Sequence, residues 1–92
     1  MAKFKLGNLV CTSGIKAECE ENKKFYREIL KAFNKYCNKD WGDTCKEDCE
    51  YNNDALINED RIVAKYKTSV ADVFIITEWD RSVTTILFAS EY

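Results

Sequence analysis

The chain contains no histidine, no proline and only three glycines among its 92 residues. Without histidine there is no Ser/His or Cys/His nucleophilic pair and no HExxH motif, and a bound zinc ion would have to be held by thiolates. Without a Ser/Pro-rich linker or a shift in composition, residues 1–92 read as a single domain. The scattered glycines form no phosphate-cradling loop. No apolar run approaches the roughly 20 residues of a membrane span, and the opening MAKFKLGNLVCTSG lacks a continuous apolar segment ending in a small-residue cleavage site. These absences are those of a protein expected in the cytosol, where stable disulfides are rare.

What is abundant is charge and cysteine. The formal charge is −2, but it is unevenly distributed. Residues 16–39 hold seven basic side chains (Lys16, Lys23, Lys24, Arg27, Lys31, Lys35, Lys39) against four acidic ones, whereas residues 40–60 hold eight acidic side chains and only Lys46. One basic and one acidic surface are expected. The acidic segment argues against direct nucleic-acid binding, which calls for net positive charge along the contact face. It suits docking on a basic groove of a protein, and Glu47, Asp48, Glu50, Asp54, Glu59 and Asp60 are the candidate contacts.

Hydrophobic spacing gives the elements. Residues 3–12 read as a first strand whose alternation breaks near Gly7 and Asn8, as at a bulge. Thr12 or Ser13 caps a short helix, and a break near Asn22 precedes a second helix. Along residues 24–37, Phe25, Tyr26, Ile29, Leu30, Phe33, Tyr36 and Cys37 recur at three- and four-residue steps and are expected in the core. Thr44 and Glu47 fit a capping box for a third helix ending near Asn58. RIVAKYK alternates as a half-buried strand, and residues 73–88 read as a hairpin turning at WDRS. The expected fold is a small α+β domain, an antiparallel sheet of about four strands with two or three helices, held by a structural zinc.

The zinc expectation rests on KYCNKDWGDTCKEDCEY, residues 35–51. Five cysteines cannot all pair within one chain. Cys45 and Cys49 are four apart on a helix and share a face, and Cys37 ends the preceding helix. Helix lengths place Cys37 past Gly14, toward Cys11, and place Cys19 at the far end of the helical pair. The expected ligand set is therefore Cys11, Cys37, Cys45 and Cys49, with Cys19 as apolar filler. Four thiolates would close the site, making it structural rather than catalytic.

Two segments, KDWGDTCKEDCEYNN and FIITEWDRSVTTILFASEY, resemble a family of short bacterial proteins carried on plasmids, integrative elements and prophages. The matching residues are Thr12 with Gly14, Asp40, Trp41, Gly42 and Asp43 with Glu47 and Asp48 after them, Ile76, Thr77 and Glu78, then Asp80 to Thr85. The thiols at Cys11, Cys37 and Cys49 lie outside that pattern. The resemblance implies a phage- or mobile-element-encoded anti-CRISPR protein that binds a type II CRISPR effector nuclease and blocks target DNA loading or cleavage, a partner whose basic channels suit an acidic face. The alternative is a small cytosolic enzyme in which the DWGD loop and the WDRS turn meet at one sheet end. Asp43 and Asp80 would then be an acid/base pair and Arg81 an anion clamp.

Overall fold

The computed structural model describes residues 2–92. Strand β1 (Asn8–Cys11) leads into helices α1 (Ser13–Glu21), α2 (Lys23–Cys37) and α3 (Lys46–Asn58). Strands β2 (Ile62–Tyr66), β3 (Val73–Thr77) and β4 (Val83–Phe88) follow, and a 3-10 turn (Ala89–Glu91) ends the chain. The α+β class is as expected. No helix among the described residues is long and apolar enough to cross a membrane.

The sheet is mixed, in the order β1-β4-β3-β2, and not antiparallel throughout. β2, β3 and β4 form the expected antiparallel meander, but β1 joins β4 in parallel, Leu9 beside Thr84 and Cys11 beside Ile86. Local turns dictate antiparallel neighbours, whereas the first strand reaches the last only after the intervening helices and strands have set its direction. Nor is there a bulge at Gly7. That residue adopts a left-handed conformation ahead of the strand, against the backbone carbonyls of Arg81 and Ser82, where a side chain would clash.

The helix starts follow from side-chain capping. The Thr12 hydroxyl accepts from the Ile15 N–H at 3.3 Å and donates to Glu91 at 2.8 Å, fastening the start of α1 to the chain's last turn. Asn22 ends α1 and begins α2: its N–H donates to Glu18, and its side-chain oxygen accepts from the Phe25 N–H at 3.1 Å. The Thr44–Glu47 capping box does not form. Cys45 is the cap residue of α3, without a side-chain cap bond, because the Thr44 hydroxyl donates to the Trp41 carbonyl and accepts from the Lys65 N–H.

α1 and α2 cover one face of the sheet. Ile15, Phe25, Ile29 and Tyr36 are buried there against Ile62, Ala64, Ile75 and Ile86, each large apolar side chain contributing roughly 1.5–3 kcal/mol of burial. Phe25 stacks on Phe88 with ring centroids 5.5 Å apart, and Tyr36 meets both Phe4 and Trp41 edge-on. The seven-residue stripe on α2 is wider than this core. Phe25, Ile29, Tyr36 and Cys37 are buried, but Tyr26 and Leu30 stand about half exposed, at 49% and 50%.

A chain of hydroxyls crosses the core from α2 to the N-terminal arm. Tyr36 Oη lies 2.6 Å from Thr77 Oγ1, Thr77 Oγ1 lies 2.8 Å from Thr84 Oγ1, and Thr84 Oγ1 donates to the Leu6 carbonyl at 2.7 Å. Because a carbonyl only accepts, the Thr84 proton is committed to Leu6. Thr77 must then donate to Thr84, and Tyr36 to Thr77. Burial pushes the Tyr36 phenol above its ordinary pKa, with the Thr77 bond and the Arg81 charge opposing, so the proton stays in the chain. The fixed direction makes the two ends unequal. Tyr36→Phe removes a donor but leaves every remaining proton with an acceptor, and should cost about 1 kcal/mol in chemical denaturation. Thr84→Val strands both the Leu6 carbonyl and the Thr77 hydroxyl, and should cost about 2–4 kcal/mol. Equal costs would refute the assigned direction.

Candidate protein-docking face

α3 does not sit over the sheet; it lies along the outer edge of β2. In the antiparallel β2–β3 ladder, Val63 and Lys65 turn their backbone groups outward. Asn52, buried at 1% exposure, meets Val63 twice: its amide nitrogen donates to the carbonyl at 2.9 Å and its oxygen accepts from the N–H at 3.2 Å. The Thr44 hydroxyl accepts from the Lys65 N–H, the Asp43 N–H donates to the Lys65 carbonyl at 2.9 Å, and the Asp43 carboxylate accepts from the Lys67 N–H. The edge is thus closed by α3 and the loop before it.

The far end of α3 is held by Arg81. Its Nη2 donates to the Ala55 carbonyl at 2.9 Å, and its Nη1 donates to the Asp60 and Glu78 carbonyls at 2.7 and 3.1 Å. One guanidinium therefore ties the C-terminal turn of α3 to the β3–β4 turn, as its planar fork permits. At the middle of α3, Trp41 Nε1 donates to Asn53 at 3.0 Å, and Thr44, just ahead of its start, is tied to Trp41 and Lys65.

With its inner side fixed, α3 turns its carboxylates to solvent. Glu47, Asp48, Glu50, Asp54, Glu59 and Asp60 are all exposed, as expected. Glu47 and Asp48 lie in the first turn, where the helix dipole favours negative charge. The one ion pair among the described residues joins Arg61 to Glu78 at 3.4 Å, so none of the six has a basic partner there. Three exposed apolar side chains share this region and were not anticipated. Tyr51 and Ile57 are 52% and 81% exposed on α3, and Trp79 is 64% exposed in the turn that Arg81 clamps to it. Tyr51 and Trp79 stand in the sequence as single aromatic residues between polar ones, whereas Ile57, following Ala55 and Leu56, carried no such signal.

The four thiols expected to bind zinc are not brought together. Cys11 faces the α1–α2 layer on β1, while Cys45 and Cys49 begin α3 beside β2, three strand spacings or about 14 Å away. That distance is far beyond the roughly 2.3 Å of a Zn–S bond. Cys37 is buried at the end of α2, and Cys19, the alternative to Cys11, lies on Cys11's side of the sheet. Among the described residues no three of Cys, Asp and Glu form a group able to hold a metal ion. The difference in helix length is close to that expected, but the expectation had no means of placing α3, whose thiols lie beyond β2 at the opposite edge of the sheet from Cys11. Cys49 instead donates from sulfur to the Thr44 carbonyl at 3.4 Å. Burial is the main influence raising its pKa, with the neighbouring Cys45 and Asp48 adding to it.

The two Asp-bearing loops lie at opposite ends of β2. Asp43 is bonded to Lys65 and Lys67 at its C-terminal end, whereas the β3–β4 turn adjoins Ile62 through its pairing with Thr77. Their polar groups serve the fold. Asp40 accepts from the Gly42 N–H, and Asp80 accepts from the N–H and hydroxyl of Ser82, bonds that lower its pKa. Arg81 binds carbonyls. The proposed acid/base pair with its anion clamp is therefore not assembled. The chain matches no protein-family model, no curated protein and no solved structure.

Thiol chemistry checks this placement. Exposed Cys11 and Cys45 should alkylate fastest with iodoacetamide, half-buried Cys19 and Cys49 more slowly, and buried Cys37 last. Burial also raises the pKa of Cys19, Cys49 and Cys37, which lowers their thiolate fractions at neutral pH. Peptide mass mapping reads the order directly. A tetrathiolate zinc centre would instead protect Cys11 and Cys45 until a chelator is added.

Proposed function

We propose that this protein is a non-catalytic inhibitor that docks the α3 face on a basic groove of a larger protein. The observation carrying this reading is the set of six exposed carboxylates without basic partners among the described residues, four on α3 and two directly after it, on a helix held at its middle, at its C-terminal end and through Thr44 ahead of its start. A fixed array loses little conformational entropy on binding, and its field speeds and orients encounter with a positive surface. Tyr51, Ile57 and Trp79 supply the apolar area from which interfaces draw most of their affinity.

The motif resemblance makes a type II CRISPR effector nuclease the partner to test first. In that reading a phage or mobile element encodes the protein, which acts in the host cytoplasm and obstructs DNA loading or cleavage by occupying a basic channel. The enzyme alternative lacks comparable support, since its two loops are separated by the length of β2.

The test is a stoichiometric titration of a purified, guide-loaded type II effector. The wild-type protein should form a stable complex and stop DNA cleavage near one equivalent. Reversing Glu50, Asp54 and Asp60 to Lys, all outside the first helical turn, should weaken binding about a hundredfold or more with the denaturation midpoint little changed. A folded triple variant that inhibits like wild type removes the acidic face from the account. Wild-type protein that neither binds nor inhibits removes this partner.

A further inference from the structure

The two sheet edges are treated differently. The β2 edge is closed, whereas the outer edge of β1 is open. The Asn8 and Thr12 N–H groups donate to Ser82 and Ile86, which sets the phase of the parallel ladder. Leu9 and Cys11 therefore turn their N–H and C=O groups away from β4, where they meet no partner among the described residues. All four residues of β1 are exposed. Unprotected edges of this kind are sites for strand addition.

Beside this edge lies an apolar cleft of about 440 Å³ between β1 and the α1–α2 layer. Ile15, Ile29 and Ile86 are buried at its base, and Leu9, Tyr26 and Leu30 form half-exposed walls. The register explains the walls: Leu9 and Cys11 share a sheet face with Thr84 and Ile86, so their side chains turn toward the cleft rather than the opposite face. An added strand would place alternate side chains there while its backbone paired with Leu9 and Cys11.

Charge selects the occupant. Lys16 and Glu20 line the cleft, and Lys23 and Arg27, each three residues before a wall residue of α2, lie exposed on its flank. The surround is net positive. A second copy paired edge to edge through β1 would bring two such cationic rims together, and the chain's own acidic segment is folded as α3. We propose that the β1 edge and its cleft bind an extended peptide segment of another protein, apolar at alternate positions and flanked by Asp or Glu. This site lies at the opposite edge of the sheet from α3, so it stands or falls separately from the inhibitor reading.

The experiment is selection of a random twelve-residue peptide display library on the full chain, followed by synthesis of the enriched peptides. Expected binders carry apolar residues two apart with an excess of carboxylates. They should slow hydrogen exchange at the Leu9 and Cys11 amides and protect Cys11, but not Cys45, from alkylation. A Lys16→Glu, Arg27→Glu variant, altered only at exposed positions, should bind them about tenfold more weakly. Failure to enrich, enrichment of cationic sequences, or binders that leave Leu9 and Cys11 unaffected would overturn the proposal. So would protection of those two amides in the free protein that grows with its concentration, since a second copy would then be the occupant.

Discussion

The paired hydrogen bonds between the Asn52 side chain and the Val63 backbone determine where α3 sits, and the acidic face depends on that placement. A helix packed on a sheet face needs a broad apolar stripe. α3 has little of one: its buried residues are Asn52 and Ala55, and four of its other residues are carboxylates. Its attachment is therefore made largely through hydrogen bonds, with Asn52 and the Trp41–Asn53 bond at the middle, Thr44 just ahead of the start, and Arg81 at the end. Asn52 and Thr44 also satisfy outward backbone groups of Val63 and Lys65 that would otherwise lack a partner, so losing either would cost more than a surface bond.

That arrangement explains several motif residues without a catalytic role. Asp43 closes the β2 edge, Gly42 packs its left-handed backbone against the Tyr66 ring, and Arg81 clamps α3 to the last hairpin. Thr84 carries the buried hydroxyl chain, and Thr12 joins the start of α1 to Glu91. These residues hold a small domain together where apolar burial alone is limited. The surfaces left for partners lie elsewhere, at the two edges of the sheet and with opposite charge. One edge is sealed beneath an acidic helix, and the other is an open strand with a basic-rimmed apolar cleft.

Much of the fold was legible in the sequence where its determinants are local. The cap at Thr12, one of the two residues expected there, the break at Asn22, the end of α3 at Asn58, the buried alternation of Ile62, Ala64 and Tyr66 and the hairpin of β3 and β4 all follow from nearby spacing. The exposure of the six carboxylates on and just after α3 was legible for the same reason. What depends on distant partners was not. The direction of β1 is set by a strand more than seventy residues away, and Thr44 is drawn from its expected capping role by Lys65. Helix periodicity identified the α2 stripe but could not divide it into core and cleft wall, because sequence spacing does not report how wide a sheet lies beneath. The thiols misled through proximity in sequence: Cys37, Cys45 and Cys49 are close along the chain, but Cys11 is separated from α3 by the width of the sheet.

The most direct measurement is residue-resolved native-state hydrogen exchange at the outward amides of β2. If α3 and its preceding loop close that edge, Val63 and Lys65 should exchange as slowly as the buried Ile75 amide, through the global unfolding reaction. Exchange of Val63 and Lys65 at rates typical of exposed loop amides, with Ile75 still protected, would mean that α3 detaches while the sheet persists. The fixed acidic face would then not exist.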